Sequence, residues 1–356
     1  MSASVRLGRR RVASDEPTYF IADIGANHDG SVERALQLIE LAALAGADAA
    51  KFQNFRAESI VSDVGFRTLG GPLGHQAAWS KPVSEVYADA ALPLEWTPQL
   101  RAACDAAGID YMTSPYDPDQ IAELGRFVCA WKIGSGDITW TSLIEQLALD
   151  DKPILLATGA SDATDVERAM TIATRAPAGV VLMQCNTNYS GAPSNIEHVA
   201  LNVLRTFAAT YPEAVLGLSD HTPGHTAVLG AVALGARVVE KHFTDDSRRP
   251  GPDHPFSLEP AGWRAMVDEV RALESALGPA VKRVMDNERE TVVIQRRAVR
   301  AAHDIAAGAT LGAADLVPLR PCPPGAIPPY RVDELVGRAT RRPIARGEHV
   351  TLEDLA

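Results

Sequence analysis

Apolar residues fall along the chain in two alternating textures. Short, nearly unbroken apolar runs occupy 18–25 (TYFIADIG), 47–53 (ADAAKFQ), 109–115 (IDYMTSP), 129–136 (CAWKIGSG), 153–159 (PILLATG), 179–186 (GVVLMQCN), 214–220 (AVLGLSD) and 236–243 (ARVVEKHF). Between them lie stretches whose apolar positions recur every three to four residues, among them 31–46, 97–108 and 163–176. The first texture belongs to strands buried on both faces, the second to amphipathic helices that cover them. Eight such strands predict an α/β fold, a (β/α)8 TIM barrel rather than an open doubly wound sheet. No GxGxxG follows a strand, which counts against a dinucleotide-binding sheet. The long connection 54–96 is where such a barrel carries an elaborated active-site loop.

The texture changes after the helix expected over 261–277, which ends at Gly278. Residues 279–295 are polar and read as a linker. Residues 296–356 hold short strands, two similar turns (IAAG 305–308, IARG 344–347) and a proline cluster, RPCPPGAIPP (320–329). The organisation predicted is a catalytic barrel over 1–278, the linker, and a small β-rich domain over 296–356.

Composition narrows the classes. The net charge of −11 argues against a nucleic-acid-binding surface, which needs a basic face. The four cysteines (Cys104, Cys129, Cys185, Cys322) lack metal-ligand spacing, and no apolar run reaches transmembrane length. The N-terminal MSASVRLGRRRVAS has no apolar segment after its basic residues. These features lead to the expectation of a reduced, cytoplasmic protein without membrane or nucleic-acid partners.

A barrel of this kind does its chemistry at the C-terminal ends of its strands. The polar residues at the eight expected ends include Asp23, Lys51, Gln53, Ser114, Lys132, Ser135, Asp137, Thr158, Asn186, Asn188, Tyr189, Ser219, His221, Glu240 and His242. His221 and His242 end adjacent strands, so both reach one rim at a separation that a single ion bridges. A lone histidine at a strand end is usually structural; a pair with Asp220 and Glu240 beside it favours metal ligation. Such ligands with open positions suit Mn²⁺, Fe²⁺, Co²⁺ or Zn²⁺. Three of the six lysines (Lys51, Lys132, Lys241) fall at strand ends in apolar contexts, and a buried ammonium needs an anion. An anionic substrate held by Lys51, Lys132, Ser114 and Ser135 meets that need. The segments SPYD (114–117) and RRPGPD (248–253) read equally as plain turns, with Asp253 available to a polyol.

The segments DIGANHDGS (23–31), AAKFQ (49–53), TSPYD (113–117), WKIGSGD (131–137), GLSDHT (217–222), EKHFTDD (240–246) and RPGPD (249–253) together resemble the sialic acid synthase family. The tail 296–356 resembles the antifreeze-like (SAF) domain that follows the barrel in that family. The resemblance implies condensation of phosphoenolpyruvate with an aldose to give a nine-carbon 2-keto-3-deoxy acid. It implies that His221 and His242 ligate a divalent cation, Mn²⁺ first, with Mg²⁺ or Co²⁺ as alternatives. Lys51, Ser114, Lys132, Ser135 and Ser219 match residues that hold phosphoenolpyruvate, a role that Asn186 or Asn188 shares. Gln53, Tyr189 and Asp253 match contacts to the sugar. Arg320 matches an arginine that the small domain of one subunit inserts into the barrel of the other, which implies a homodimer. Asp23 and Asp137, the base candidates, stand where the family usually has Glu. Strand six reads CNTNYSGAP where the family has CTNxYP. CPPG follows Arg320 where the family runs straight into PG. Strand six and the arginine loop border the sugar in that family, so the resemblance leads to the expectation of an acceptor other than plain N-acetylmannosamine. Two alternatives are a condensing enzyme that takes a phosphorylated sugar and a non-catalytic carbohydrate-binding protein.

Overall fold

A computed structural model describes residues 3–69 and 73–356 of the chain. Two antiparallel strands, β1 (Ser4–Leu7) and β2 (Arg10–Ala13), open it. Eight parallel strands then close into a barrel: β3 (Tyr19–Asp23), β4 (Ala49–Asn54), β5 (Asp110–Pro115), β6 (Trp131–Ile133), β7 (Ile154–Ala157), β8 (Val180–Cys185), β9 (Val215–Asp220) and β10 (Val238–His242). β10 pairs back onto β3, matching His242 with Asp23. Seven fall inside the runs expected from the sequence, and β4 passes the end of its run by one residue, Asn54. Helices Val32–Leu44, Thr97–Ala107, Ala163–Ala173 and Pro260–Leu277 lie where the three-to-four periodicity put them. Ser31 caps the first of these, its hydroxyl accepting from the Arg34 N–H at 3.3 Å.

The two faces of each strand have different tasks. Outward residues such as Phe20, Phe52, Trp131, Leu182, Leu218 and Val239 pack under the helices in one large core. Inward residues alternate with them and change character along the barrel axis. Near the N-terminal ends they are apolar: Tyr19, Ile21, Ala49, Met112, Ala130, Leu155, Val181, Met183 and Val238 form a second cluster. Two or four residues further on, the same inward series turns polar: Ile21 gives way to Asp23, Ala49 to Lys51 and Gln53, Met112 to Ser114, Ala130 to Lys132, and Val238 to Glu240 and His242. Half of the interior is therefore a plug and half a reaction vessel.

The β1–β2 hairpin seals the apolar end. Val5, Leu7 and Val12 are buried in the inward cluster, each stabilising by roughly 1.5–3 kcal/mol. Sequence reasoning placed no strand before residue 18, because two four-residue strands span too few periods to stand out from a loop.

The chain divides into Met1–Gly278 and Pro279–Ala356. The second unit begins with the stretch read as a linker, which carries a helix at Arg289–Gln295. Strands β11 (Ala298–Ala301) and β12 (Leu316–Leu319) pair antiparallel around a core of Val299, Ile305, Leu311, Leu335, Ile344 and Val350. The two similar turns face each other there: the Ile305 N–H donates to the Ile344 carbonyl at 2.8 Å and is answered at 2.9 Å. Among the described residues no helix is long and apolar enough to cross a membrane.

Candidate active site

A cavity of about 480 Å³ opens at the polar end of the barrel. Gln53, Ser135, Asp137, Tyr189, His242 and Asp253 line it. An opposite wall comes from the connection after β4, through Phe55, Ile60, Trp79, Val86 and Tyr87, as expected for an elaborated loop. Phe55 packs on Tyr87 at 5.5 Å and on Tyr116 at 6.3 Å between ring centres, so this wall is aromatic.

Below the lining lies a buried ionic layer. Lys51 Nζ sits 2.7 Å from Asp23 and 3.6 Å from Glu240, and Lys132 Nζ sits 2.7 Å from the same Glu240 oxygen. None of these side chains is more than 4% exposed. Burial alone would lower the Lys51 pKa, but Asp23 and Glu240 outweigh it and raise it, so the ammonium stays charged. Ser114 Oγ lies 3.4 Å from Lys51 Nζ, and Ser135 Oγ accepts from the Gly159 N–H at 2.9 Å. Ser219 is buried and pairs in register with Glu240.

The two histidines meet as the strand ends predict, with ring centres 5.5 Å apart. Tyr189 and Phe256 pack edge-on against them, Tyr189 at 4.5 Å from His221 and Phe256 at 4.9 Å from His242. His221 Nδ1 lies 2.9 Å from the Asn186 carbonyl, which only accepts. Nδ1 therefore carries a proton, and although burial would lower the His221 pKa, Cys185, with Sγ 3.8 Å from Nδ1, and the Asn186 carbonyl outweigh it and raise it. His242 is held well below the ordinary histidine range by burial first and then by His221 and Lys51, so it is neutral. Its buried Nδ1 has no hydrogen-bond partner, and carboxylate oxygens of Asp253 and Asp23 lie 3.6 and 3.5 Å from its two ring nitrogens. Among the described residues no three His, Cys, Asp or Glu side chains converge as a closed ion site. His242 offers a neutral imidazole and His221 one that gives up its Nε2 proton on ligation, a pair that fits a cation whose other positions stay open.

Two carboxylates face the cavity in an uneasy state. Burial pushes Asp137 up to about 6; its carboxylate makes no hydrogen bond or ion pair among the described residues. Burial also pushes Asp253 up to about 6, against the Ala26 N–H that donates to it at 2.9 Å. Gly25, at φ +50°, makes that contact possible: a Cβ there would collide with the Asp253 carboxylate and crowd His242.

The structure thus gathers Asp23, Lys51, Gln53, Ser114, Lys132, Ser135, Asp137, Tyr189, Ser219, His221, His242 and Asp253 at one end of one barrel. Asn186 and Asn188 stand apart from the cavity. Asn186 donates to the His198 carbonyl at 3.1 Å, and Asn188 is exposed, its Oδ1 accepting from the Ser190 N–H at 3.1 Å; Thr187 lines the cavity between them. Arg320 lies in the second unit and donates to the Gln295 carbonyl at 2.7 Å. Sequence reasoning undervalued Glu240, which bridges both lysines, although its place two residues before His242 puts it on the inward face. It read Tyr116, a cavity residue, as part of a plain turn, and it counted Lys241 among the strand-end lysines without naming its anion. Lys241 points outward and finds its anion in Asp220, 2.6 Å away.

A closed (β/α)8 barrel with a buried array of lysines, carboxylates and histidines at its C-terminal mouth defines a barrel enzyme. Residues 38–282 match the NeuB family and residues 296–356 match the SAF domain, so the chain belongs to the NeuB family and ends in a SAF domain. It is 32% identical to the N,N'-diacetyllegionaminic acid synthase of Campylobacter jejuni, over 90% of this chain and 95% of that one. It is 32% identical to a pseudaminic acid synthase of the same species, over 96% and 97%. Among solved structures, the N-acetylneuraminic acid (sialic acid) synthetase of Leptospira borgpetersenii superposes with a TM-score of 0.71 at 28% identity, over 82% of this chain and 96% of that one. The chain is an enzyme of the synthase kind.

Proposed function

We propose that this enzyme condenses phosphoenolpyruvate with an unphosphorylated aldose to give a sialic-acid-like 2-keto-3-deoxy acid and phosphate. The observation that carries the reading is the buried layer of Lys51 and Lys132 directly beneath the histidine pair. Two ammonium groups, charge-balanced by Asp23 and Glu240 and able to exchange those partners for substrate oxygens, mark a place for a compact polyanion next to a carbonyl-activating centre. The cavity above carries no lysine or arginine among its described lining residues, which favours a free sugar over a sugar phosphate. The aromatic wall of Phe55, Trp79 and Tyr87 favours an acceptor with acyl or deoxy substituents, as does the kinship with the legionaminic and pseudaminic acid synthases.

In this mechanism Lys51, Lys132, Ser114, Ser135 and Ser219 hold the phosphate and carboxylate. Gln53, Tyr189 and Asp253 orient the open-chain sugar. The C2=C3 π pair of phosphoenolpyruvate bonds carbon 3 to the aldehyde carbon and leaves carbon 2 electron-poor, while the aldehyde's own π electrons pass to its oxygen, which takes up a proton. Water adds to carbon 2, and Asp137, with Asp23 the alternative, takes its proton. The tetrahedral carbon then expels phosphate by C–O cleavage, and the lysines neutralise the leaving charge. A divalent cation held by His221 and His242, Mn²⁺ first and Mg²⁺ or Co²⁺ otherwise, would polarise the aldehyde oxygen. The working form in this reading is a homodimer in which Arg320 of one copy reaches the sugar in the barrel of the other.

The test is phosphate release from phosphoenolpyruvate with Mn²⁺ and a panel of free and phosphorylated aldoses, with products weighed by mass spectrometry. Release with one free, acylated sugar and a product of matching mass supports the reading. Release with phosphorylated sugars alone moves the enzyme to the alternative class.

A further inference from the structure

Asp220 and Lys241 form an ion pair that the proposed mechanism does not use. Lys241 Nζ donates to Asp220 Oδ2 at 2.6 Å and to the Thr222 carbonyl at 2.5 Å. Asp220 Oδ1 accepts from the Thr222 N–H at 3.0 Å and from its hydroxyl at 2.8 Å. Both charged side chains are 1% exposed, on the outer face of the barrel wall, under the helices and away from the cavity.

Their place in the ladder gives them a task. β9 and β10 pair in register as far as Asp220 opposite Lys241, and there the ladder ends. His221 and His242 are the next residue on each strand, one step beyond the last backbone pair. On the side of β9, therefore, no cross-strand backbone bond to β10 fixes His221. The ion pair takes over at that point. It joins the residues immediately before the two histidines, and the bond from Lys241 to the Thr222 carbonyl grips the residue immediately after His221. The peptide carrying His221 is bracketed on both sides from β10.

We propose that Asp220 and Lys241 are positioning residues that set the separation of His221 and His242, and hence the strength of cation binding at that pair. The inference rests on the reading of the two histidines as cation ligands. A pair kept for stability alone would be replaceable by neutral side chains of similar size without consequence for the site. The position of an outer residue that fixes a ligand instead controls metal affinity, by about 10–100-fold in known sites.

The experiment uses the full-length protein without substrates. Free Mn²⁺ is followed by electron paramagnetic resonance during titration of the wild type, His221→Ala, and the double variant Asp220→Asn/Lys241→Met. The double variant keeps the acceptor for Thr222 and leaves no buried charge, so it removes only the tie between strands. The expected result is Mn²⁺ binding that is lost in His221→Ala and weakened at least about 10-fold in the double variant, with phosphoenolpyruvate binding and the melting temperature near those of the wild type. The double variant Asp220→Asn/Lys241→Gln, which also leaves no buried charge, provides the same reading if the first does not fold, with a several-fold loss expected. No Mn²⁺ binding by the wild type, or binding that survives His221→Ala, would overturn the cation reading and this inference together. Binding lost in His221→Ala but intact in the tie-breaking variant would overturn this inference alone.

Discussion

Replacing Asp137 by Asn should make the enzyme slower and its barrel more stable, and the second effect depends on pH. Asp137 is pushed from an ordinary 3.8 up to about 6 by burial, with no compensating partner. The folded state therefore holds this proton more tightly than the unfolded chain does. The stability linked to it is present below about pH 4 and is lost as pH rises through about 6, when a buried carboxylate has to ionise. Two units correspond to ~3 kcal/mol at most, and partial access to water reduces this to ~1–2 kcal/mol. Asn has the same size and no charge. At about pH 7.5 the variant should be ~1–2 kcal/mol more stable, a rise of several degrees at most in the barrel's melting transition, and near pH 4 the difference should vanish. As the proposed base, Asp137 should carry a factor of ~10²–10⁴ in kcat, with phosphoenolpyruvate affinity retained. Calorimetry at two pH values and steady-state kinetics check both halves. A variant no more stable at the higher pH, or equally stabilised at both, would refute burial as the origin of the shift. Activity surviving within a few-fold would refute the base assignment.

Other substitutions separate the layers of the barrel. Glu240→Gln removes the carboxylate shared by Lys51 and Lys132; it should cost ~3–5 kcal/mol in urea unfolding while tightening inorganic phosphate binding by calorimetry. Gly25→Ala meets the Asp253 carboxylate at a positive φ and should raise KM for the sugar more than KM for phosphoenolpyruvate. Leu7→Ala, in the plug at the far end, should cost ~2–5 kcal/mol yet leave kcat of the folded enzyme unchanged. Because Asp137 and Asp253 both titrate near 6, the rate should fall on the acid side of about that pH, and Asp137→Asn should flatten what remains of the limb.

The barrel was legible because its strands are continuous apolar runs, and the cavity residues were legible because they end those runs. Lys51, Lys132, His221 and His242 sit where an alternating inward series leaves apolar chemistry, and the period of two is visible in one dimension. The direction of a side chain was harder to read than its position. Glu240, Lys241 and His242 are consecutive, so two face the site and one faces away, yet all three read as strand-end polar residues. Tyr116 and the Trp79–Tyr87 wall escaped because loops carry no periodicity that says which side chain turns inward. The hairpin at residues 4–13 escaped for lack of length: its alternation lasts four residues per strand.

That hairpin has a consequence for traffic. With one end of the barrel corked, whatever enters leaves by the same door. The ammonium groups of Lys51 and Lys132 lie deepest, since each strand reaches them before it reaches Gln53 or Ser135 at the brim. An anion destined for the lysines must descend before a sugar settles on the rim, because a sugar already seated there would block the shaft. For the proposed reaction, a vessel with a single mouth and two depths would impose a queue: the anion first, the sugar second, and the sugar-derived end of the product first on the way out.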